Sequence, residues 1–276
     1  MIKIFQRTLA GMLLLLIMPV AVWLSGWQWQ PGESNTFLKV LFWMTETVTR
    51  PWGMLTSLIL SAWVLWCLRF RLKPALLLLV IMNATILAGQ YTKSFIKEQV
   101  QEPRPYVVWL EKTHGLDDKT FYQLNREQRG QRVTALIADE SHIPGWLKKH
   151  WAFETGFAFP SGHTMFAASW ALLVIGLLWP RRHYKTIVLV GLWATGVMGS
   201  RLLLGMHWPR DLAVATFTTL FRSGRGNIHF LGVCRGGNLA RSTLLWAAQP
   251  ATGREAGGGR TGTRIVIAPF STISLS

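Results

Sequence analysis

Long apolar runs, separated by short polar or basic segments, dominate the chain up to residue 220. The first run follows Lys3 and Arg7, and the runs cover about residues 9–24, 52–70, 75–91, 164–179 and 186–204. A helix of about 20 apolar residues crosses the hydrocarbon core of a bilayer. The pattern therefore predicts an all-α, polytopic transmembrane bundle of about six spans, with a sixth beginning after Trp208.

The two ends of this pattern leave alternatives open. A basic start before an apolar run is also typical of a signal peptide, but the further spans favour an uncleaved first helix. Residues 26–50 are predicted as a short polar loop. The sixth span is truncated, because the apolar residues after His207 stop at Leu220, short of the ~20 that a span needs.

The tail, residues 221–276, has a different composition from the rest of the chain. It is rich in Gly and Arg, contains no Lys, and has a single acidic residue. Such a segment is poorly suited to building a packed core. We predict that it is disordered or that a shifted reading frame has replaced the natural sixth helix.

The longest polar stretch lies in the middle of the chain. Residues 92–159 contain many charged, helix-forming residues with aromatic residues between them. We predict a small extramembrane helical subdomain here, between helices 1–3 (residues 1–91) and helices 4–6 (residues 160–220). Basic residues among aromatics also occur in nucleic-acid-binding proteins, but nearby carboxylates almost balance the charge, so we expect no nucleic-acid partner.

Charge and composition support a membrane location and suggest its orientation. Only 15% of residues are charged, against roughly 25% in soluble domains, and 15 Trp residues fit an interfacial belt. The formal net charge of +16 fits anionic lipid or a phosphorylated substrate. Basic clusters near residues 3–7, 69–73 and 181–185 fall on one side of alternating spans, which the positive-inside rule makes cytoplasmic.

The first of three polar motifs is Lys97-x6-Arg104-Pro105, just after the third span. Seven residues make about two helical turns, so Lys97 and Arg104 are predicted to share a helix face. Alone, both would be interpreted as interfacial residues whose charged ends reach the headgroups.

The second motif is Pro160-Ser161-Gly162-His163, which opens the fourth span. Ser161 is a favourable N-cap, and Gly162 would let a phosphate approach the free N–H groups of the helix start. Alone, this motif would be only a turn and a helix cap.

The third motif runs from Ser200 to Asp211 and contains Arg201 and His207. Pro209 favours a new helix start, so Asp211 lies about one turn after His207 and can accept an imidazole N–H. A carboxylate that holds one ring nitrogen leaves the other free to act as a nucleophile. Alternatively, the cluster only anchors a helix end in the headgroup layer.

All three motifs fall on the same predicted side of the membrane, at the ends of three spans. In this order they resemble the three signatures of the type-2 phosphatidic acid phosphatase superfamily. The six-span layout is similar to that of bacterial phosphatidylglycerophosphatases, over about residues 1–220. The resemblance implies catalytic roles for His207 as nucleophile, His163 as acid and base, and Asp211 as the group that orients His207. It implies phosphate binding by Lys97, Arg104, Pro105, Ser161, Gly162 and Arg201.

The resemblance further implies a bacterial inner-membrane enzyme whose site faces the periplasm. It would hydrolyse phosphatidylglycerophosphate to phosphatidylglycerol, and also phosphatidic acid, lysophosphatidic acid, diacylglycerol pyrophosphate and undecaprenyl pyrophosphate, through a phosphohistidine. We expect no metal or other cofactor, since no carboxylate cluster with metal-ligand character lies at the site. The expected partners are the lipid substrate and the bilayer.

Other functions remain open at this stage. A family member could act on soluble phosphates or use vanadate for oxidation, although the spans argue against it. A lipid or anion transporter would use basic residues along a path, but no convincing internal repeat is present. A catalytically impaired variant would follow if the replaced sixth helix fails to hold His207. We expect the remaining histidines to be surface residues without a role: His114, His142, His150, His183 and His229.

Overall fold

The computed structural model describes residues 2–32 and 35–220. Within them every regular element is helical, so the predicted all-α fold is confirmed there. The predictions for the tail and for His229 lie outside the described residues. The helices are α1 (Ile2–Leu24), α2 (Thr36–Glu46), α3 (Trp52–Leu68), α4 (Leu72–Val100), α5 (Pro105–His114), α6 (Asp118–Gln123), α7 (Arg126–Leu136), α8 (Gly145–Phe153), α9 (Gly162–Leu178) and α10 (Tyr184–Leu203), followed by a helix over 209–220.

The centre of the bundle is α9. Every residue from 164 to 178 is buried, and the helix packs against α1, α3, α4 and α10. Ala and Gly recur along it, which lets the neighbouring helices approach closely, as is usual in membrane bundles. The helix ends where Pro180 follows Trp179 in a short 3-10 turn.

The outer helices expose large apolar side chains, as expected for contact with lipid. Leu14 and Ile17 of α1, and Leu87 and Phe95 of α4, are more than half exposed. Four segments are long and apolar enough to cross a bilayer, and α3 is a shorter apolar helix. The span count of about six is not confirmed. The four segments are Lys3–Leu24, Leu72–His114, Gly162–Arg181 and Tyr184–Leu203.

One predicted segment is wrong, and one helix extends beyond its predicted span. The segment predicted as a polar loop, residues 26–50, contains α2, which begins where the Asn35 side chain accepts a hydrogen bond from the Leu38 N–H at 2.8 Å. The α4 helix continues beyond the predicted third span, about residues 75–91, to Val100. Hydropathy misses both, because amphipathic or polar turns remain helical when one side is covered by protein.

A second apolar cluster lies among α5 to α8, in the polar middle of the chain. Tyr106, Phe121, Val133 and Trp151 are among its fully buried members. The Trp151 Nε1–H donates to the Leu204 carbonyl at 2.9 Å, which joins this cluster to the end of α10. The helices predicted for this segment are therefore present, whereas its location outside the membrane stays a prediction.

The ends of α3 and α9 identify the two ends of the bundle. At one end, an Arg181 guanidinium contacts the Leu68 carbonyl and lies over the Phe70 ring. At the other end, Thr49, which precedes α3, lies beside His163 at the start of α9. The basic clusters near residues 69–73 and 181–185 therefore lie at the first end, and the second motif lies at the opposite end.

Candidate active site

The first motif is not one continuous helix. The α4 helix ends at Val100, because Gln101 takes a left-handed conformation (φ 51°). Arg104 then becomes the N-cap of α5, and Pro105 is its first residue, where the missing N–H is not needed. The prediction that Lys97 and Arg104 share one helix face is therefore wrong.

A different element brings these two cations together. The Lys97 ammonium donates to the Phe157 carbonyl, and the Arg104 Nε–H donates to the Gly156 carbonyl at 2.6 Å. The segment that carries these carbonyls is itself fixed by a bond from the Ala158 N–H to the Glu102 carbonyl at 2.7 Å. Backbone oxygens just before the second motif thus hold both cations of the first.

Arg201 projects from the last turn of α10 and is fully buried. Its Nη1–H group donates to the Thr45 hydroxyl at 2.9 Å and lies 3.2 Å from Nε2 of His150. Its Nη2–H group donates to Oε2 of Glu154 at 2.5 Å. A buried guanidinium needs such partners, since an unpaired buried charge is strongly unfavourable.

Glu154 is the group around which the predicted site residues meet. Its Oε2 lies 3.2 Å from Nη1 of Arg104 and 2.5 Å from Nη2 of Arg201, and its Oε1 lies 3.4 Å from Nε2 of His163. One carboxylate therefore touches one residue from each of the three motifs.

Electrostatics keep this carboxylate ionised. Burial alone would raise the pKa of Glu154, but the charges of Arg201, His163, His150 and Arg104 outweigh burial and hold that pKa well below its ordinary value. Sequence reasoning missed Glu154. A signal existed, since it is the single acidic residue between Glu140 and Asp211.

The second motif forms the start of α9. The Ser161 hydroxyl accepts from the Thr164 N–H at 3.3 Å, so Ser161 is the N-cap, as its sequence position predicts. Gly162 is in close contact with Lys93 of α4: a Cβ added at Gly162 would come 2.5 Å from Cδ of that side chain. Lys93 is thus a further cation at the site that the sequence motifs did not identify.

The third motif folds as a turn followed by a helix. Nδ1 of His207 lies 3.3 Å from Oδ2 of Asp211, and the same oxygen accepts from the Trp208 N–H at 2.9 Å. Asp211 therefore has two roles: it caps the helix over 209–220, and it fixes the orientation of the His207 imidazole. Nε2 of His207 is left free of this contact.

His207 is in a strongly cationic, buried environment. The side chain is 2% exposed, and burial first, then the charges of Arg104, Arg201 and Lys97, lower its pKa well below the ordinary value. The imidazole is therefore neutral at neutral pH. Arg104 also ties this motif to the first, because its Nη1–H group lies 3.4 Å from the Met206 carbonyl.

One histidine without an expected role proves to be part of this environment. His150 is 4% exposed, not a surface residue, and contacts Arg201 and Glu46, whose Oε1 lies 3.4 Å from its Nδ1. The sequence prediction for His150 is therefore wrong, because an aromatic helix, α8, turns this residue inward. His114 and His142 instead pair with Glu140, away from the three motifs.

An apolar helical bundle with a cluster of buried cations and two histidines at one end has the features of a membrane enzyme for phosphate compounds. Residues 76–222 match the family model described as the PAP2 superfamily, and the chain belongs to this superfamily.

Curated relatives agree with this assignment. Phosphatidylglycerophosphatase B of Escherichia coli is 64% identical over 214 residues, which cover 78% of this chain and 84% of the relative. The protein of the same name from Shigella flexneri gives the same values. The Haemophilus influenzae protein is 34% identical over 220 residues, covering 77% of this chain and 90% of the relative. The chain is therefore a phosphoric monoester hydrolase with lipid phosphatase function, and its apolar helices fit a membrane protein.

Proposed function

We propose that the chain hydrolyses the phosphomonoester of phosphatidylglycerophosphate to give phosphatidylglycerol. The relatives named above carry this substrate in their names. The observation that supports it most is the convergence of Arg104, Arg201 and His163 on one buried carboxylate oxygen pair. Groups that hold a carboxylate in this way are suited to hold phosphate oxygens, because guanidinium groups pair with both anions.

The first chemical step is attack by His207. Nδ1 faces Asp211, so Nε2 is the nucleophile, and its lone pair forms the bond to phosphorus. As that bond forms, the phosphorus–oxygen bond to the lipid breaks, and the leaving oxygen takes a proton from the imidazolium of His163, which becomes a neutral imidazole. The products of this step are the free lipid alcohol and a phosphohistidine.

The second step removes phosphate from the enzyme. His163, now deprotonated, accepts a proton from water, and the water oxygen attacks phosphorus. The phosphorus–nitrogen bond breaks, and its electron pair returns to Nε2 of His207. Inorganic phosphate leaves, and both histidines regain their starting protonation states.

Positive charge stabilises both transition states. Lys97, Arg104 and Arg201 would surround the transferred group, with backbone groups of Ser161 and Gly162 at the helix start. Phosphoryl transfer needs such charge above all. Among residues 2–32 and 35–220 no group of three or more His, Cys, Asp or Glu is arranged to hold a metal, and we propose that the three cations act without one.

We further propose that the site faces the periplasm of the bacterial inner membrane. The basic clusters near residues 69–73 and 181–185 lie at the end of the bundle opposite His163, and the positive-inside rule makes that end cytoplasmic. Residues 92–159 would then lie on the periplasmic surface, beside the headgroups of the substrate lipid.

The proposal can be tested with the purified chain in phospholipid vesicles. Phosphate release would be measured with EDTA present, from phosphatidylglycerophosphate, phosphatidic acid, lysophosphatidic acid, diacylglycerol pyrophosphate and undecaprenyl pyrophosphate. We expect release from phosphatidylglycerophosphate and its loss in His207→Ala. Acid-labile radiolabelled phosphate should be trapped on wild-type protein and not on the variant. Wild-type activity in His207→Ala, or activity that requires a divalent metal, would contradict the proposal.

A further inference from the structure

The corner between α2 and α3 brings a threonine hydroxyl to the acid–base histidine. Thr49 is 7% exposed, and its Oγ1 lies 3.1 Å from Nε2 of His163 and 3.2 Å from the carbonyl oxygen of Thr45. Neither the sequence motifs nor the mechanism above uses this residue.

The two contacts together favour one arrangement of the protons. The Thr45 carbonyl can only accept a hydrogen bond, so the single hydroxyl hydrogen of Thr49 points to it. With the hydroxyl in this orientation, the Thr49 oxygen is an acceptor toward the imidazole, and the contact favours a proton on Nε2 of His163. Oε1 of Glu154, 3.4 Å from the same nitrogen, is a second acceptor that also favours a proton there.

The position of that nitrogen matters for catalysis. Glu154 binds Arg104 and Arg201 with its other oxygen, so Nε2 of His163 faces the place where the two guanidinium groups meet. A proton held on Nε2 is therefore directed at the group that those cations bind. The ring acts as an acid only when both nitrogens are protonated, because a neutral imidazole that lost its single proton would become an imidazolate. The proton on Nε2 is the one that leaves, and the proton on Nδ1 stays on the ring.

We propose that Thr49 is a positioning residue that holds the transferable proton on Nε2 of His163. The inference rests on the proposed function, in which this proton passes to the leaving oxygen. Once it has passed, the Thr49 hydroxyl can rotate from the Thr45 carbonyl and donate to the bare Nε2. When water returns a proton to Nε2, the hydroxyl turns back, and no net proton is gained or lost.

This role predicts a dependence on the leaving group. An alkoxide leaving a lipid phosphate is a strong base and needs a proton, whereas a nitrophenolate is a weak base and departs with little help. Loss of correct proton placement should therefore slow the first turnover of a lipid phosphate and leave that of a nitrophenyl phosphate almost unchanged. A general loss of structure would slow both alike.

The test compares Thr49→Val, which keeps the shape and removes the hydroxyl, with Thr49→Ser, which keeps the hydroxyl. Quenched-flow measurements would follow release of diacylglycerol from phosphatidic acid and of nitrophenol from 4-nitrophenyl phosphate in the first turnover. We expect Thr49→Val to lower the first-turnover rate roughly 10- to 100-fold with phosphatidic acid, within the range of general acid catalysis. With the nitrophenyl ester the rate should fall less than about threefold. Thr49→Ser should stay close to wild type with both.

A matched control lies two residues earlier. The Thr47 hydroxyl donates to the Met44 carbonyl at 2.6 Å and accepts from Nε1 of Trp193 at 3.1 Å, without contact to His163. Thr47→Val removes a comparable hydroxyl from the same corner and should show no difference between the two substrates. If Thr49→Val fails to insert in the membrane, Thr49→Ala provides the same comparison.

The outcomes separate this inference from the proposed function. Equal losses with both substrates, or no loss with either, would overturn the role of Thr49. Full activity in His207→Ala would instead overturn the proposed function.

Discussion

Both ends of the helical bundle carry clusters of cations, but the two ends place them in opposite surroundings. At one end Arg69, Arg71, Lys73 and Arg182 are exposed, and the described residues place no carboxylate within ion-pair distance of them. At the other end Arg104 and Arg201 are 5% and 0% exposed, respectively, and share the carboxylate of Glu154.

The difference separates exposed cations, which are suited to orienting the chain in a bilayer, from buried cations, which are suited to the proposed chemistry. Exposed cations keep their hydration, so their presence costs little free energy. They can therefore orient the chain in the bilayer without specific partners. Buried cations lose hydration and require a partner, and breaking such a pair costs about 3–5 kcal/mol. A protein retains so unfavourable a cluster in or near a membrane when it performs a function there.

The largest contrast should appear between histidines at the two ends. We expect His207→Ala to lower phosphate release at least about 10³-fold, because the variant lacks the proposed nucleophile. His183→Ala, at the exposed end, should keep wild-type activity. Phosphate release from vesicles measures both, and comparable effects of the two changes would remove the functional distinction between the ends.

The next contrast concerns arginines. Arg201→Ala should lower kcat by roughly 10²- to 10³-fold, as for loss of one oxyanion-stabilising donor, and it leaves Glu154 with one fewer partner. Arg201→Lys should recover only part of this loss, because an ammonium lacks the two-nitrogen fork.

The control for this pair is Arg71→Ala, which should leave kcat within twofold and affect only membrane orientation. Steady-state kinetics together with a protease-protection assay of topology would measure both properties. A fall in kcat for Arg71→Ala as large as for Arg201→Ala would contradict the comparison.

A smaller effect is expected at the shared carboxylate. In the proposed function phosphate competes with Glu154 for Arg104 and Arg201. The Glu154→Gln variant should therefore bind inorganic phosphate roughly tenfold more tightly, by about 1.4 kcal/mol. Inhibition of lipid hydrolysis by phosphate would measure this affinity.

Glu140→Gln is the matched control, since Glu140 pairs with His114 and His142 and contacts neither arginine. It should leave inhibition by phosphate unchanged. An unchanged inhibition constant in Glu154→Gln would mean that the carboxylate and phosphate do not compete.

The smallest expected effect is the response to acid. An ordinary imidazole titrates near pH 6.5, but burial and the surrounding cations lower the pKa of His207 well below this value. His207 should therefore stay neutral as the pH falls from 7 to 6.

The contribution of the neutral His207 to folding stability is present above about pH 6.5 and is lost as the pH falls toward the lowered pKa.

First-turnover rates with 4-nitrophenyl phosphate, corrected for ionisation of the substrate, would test this prediction. We expect less than a twofold change between pH 7 and 6. A steep decline that begins at pH 6.5 would show that the site does not suppress protonation of His207.

The sequence by itself determined the helical class, the positions of the main apolar helices and the residues of the three motifs. These follow from local signals: the length of an apolar run, a Ser N-cap before α9, and the spacing of His207 and Asp211 over one turn of a helix. Each depends on residues close together in the chain, so a single segment contains the whole signal.

Only the tertiary structure decided how the motifs meet. The break after Val100 separated Lys97 from Arg104, and carbonyls of residues 156–158 brought them together again. Glu154 and Thr49 became recognisable as site residues only through contacts with groups far along the chain. The physical reason is that a buried charge or proton must be satisfied by any polar group that the fold brings within reach, and sequence distance does not restrict which group that is.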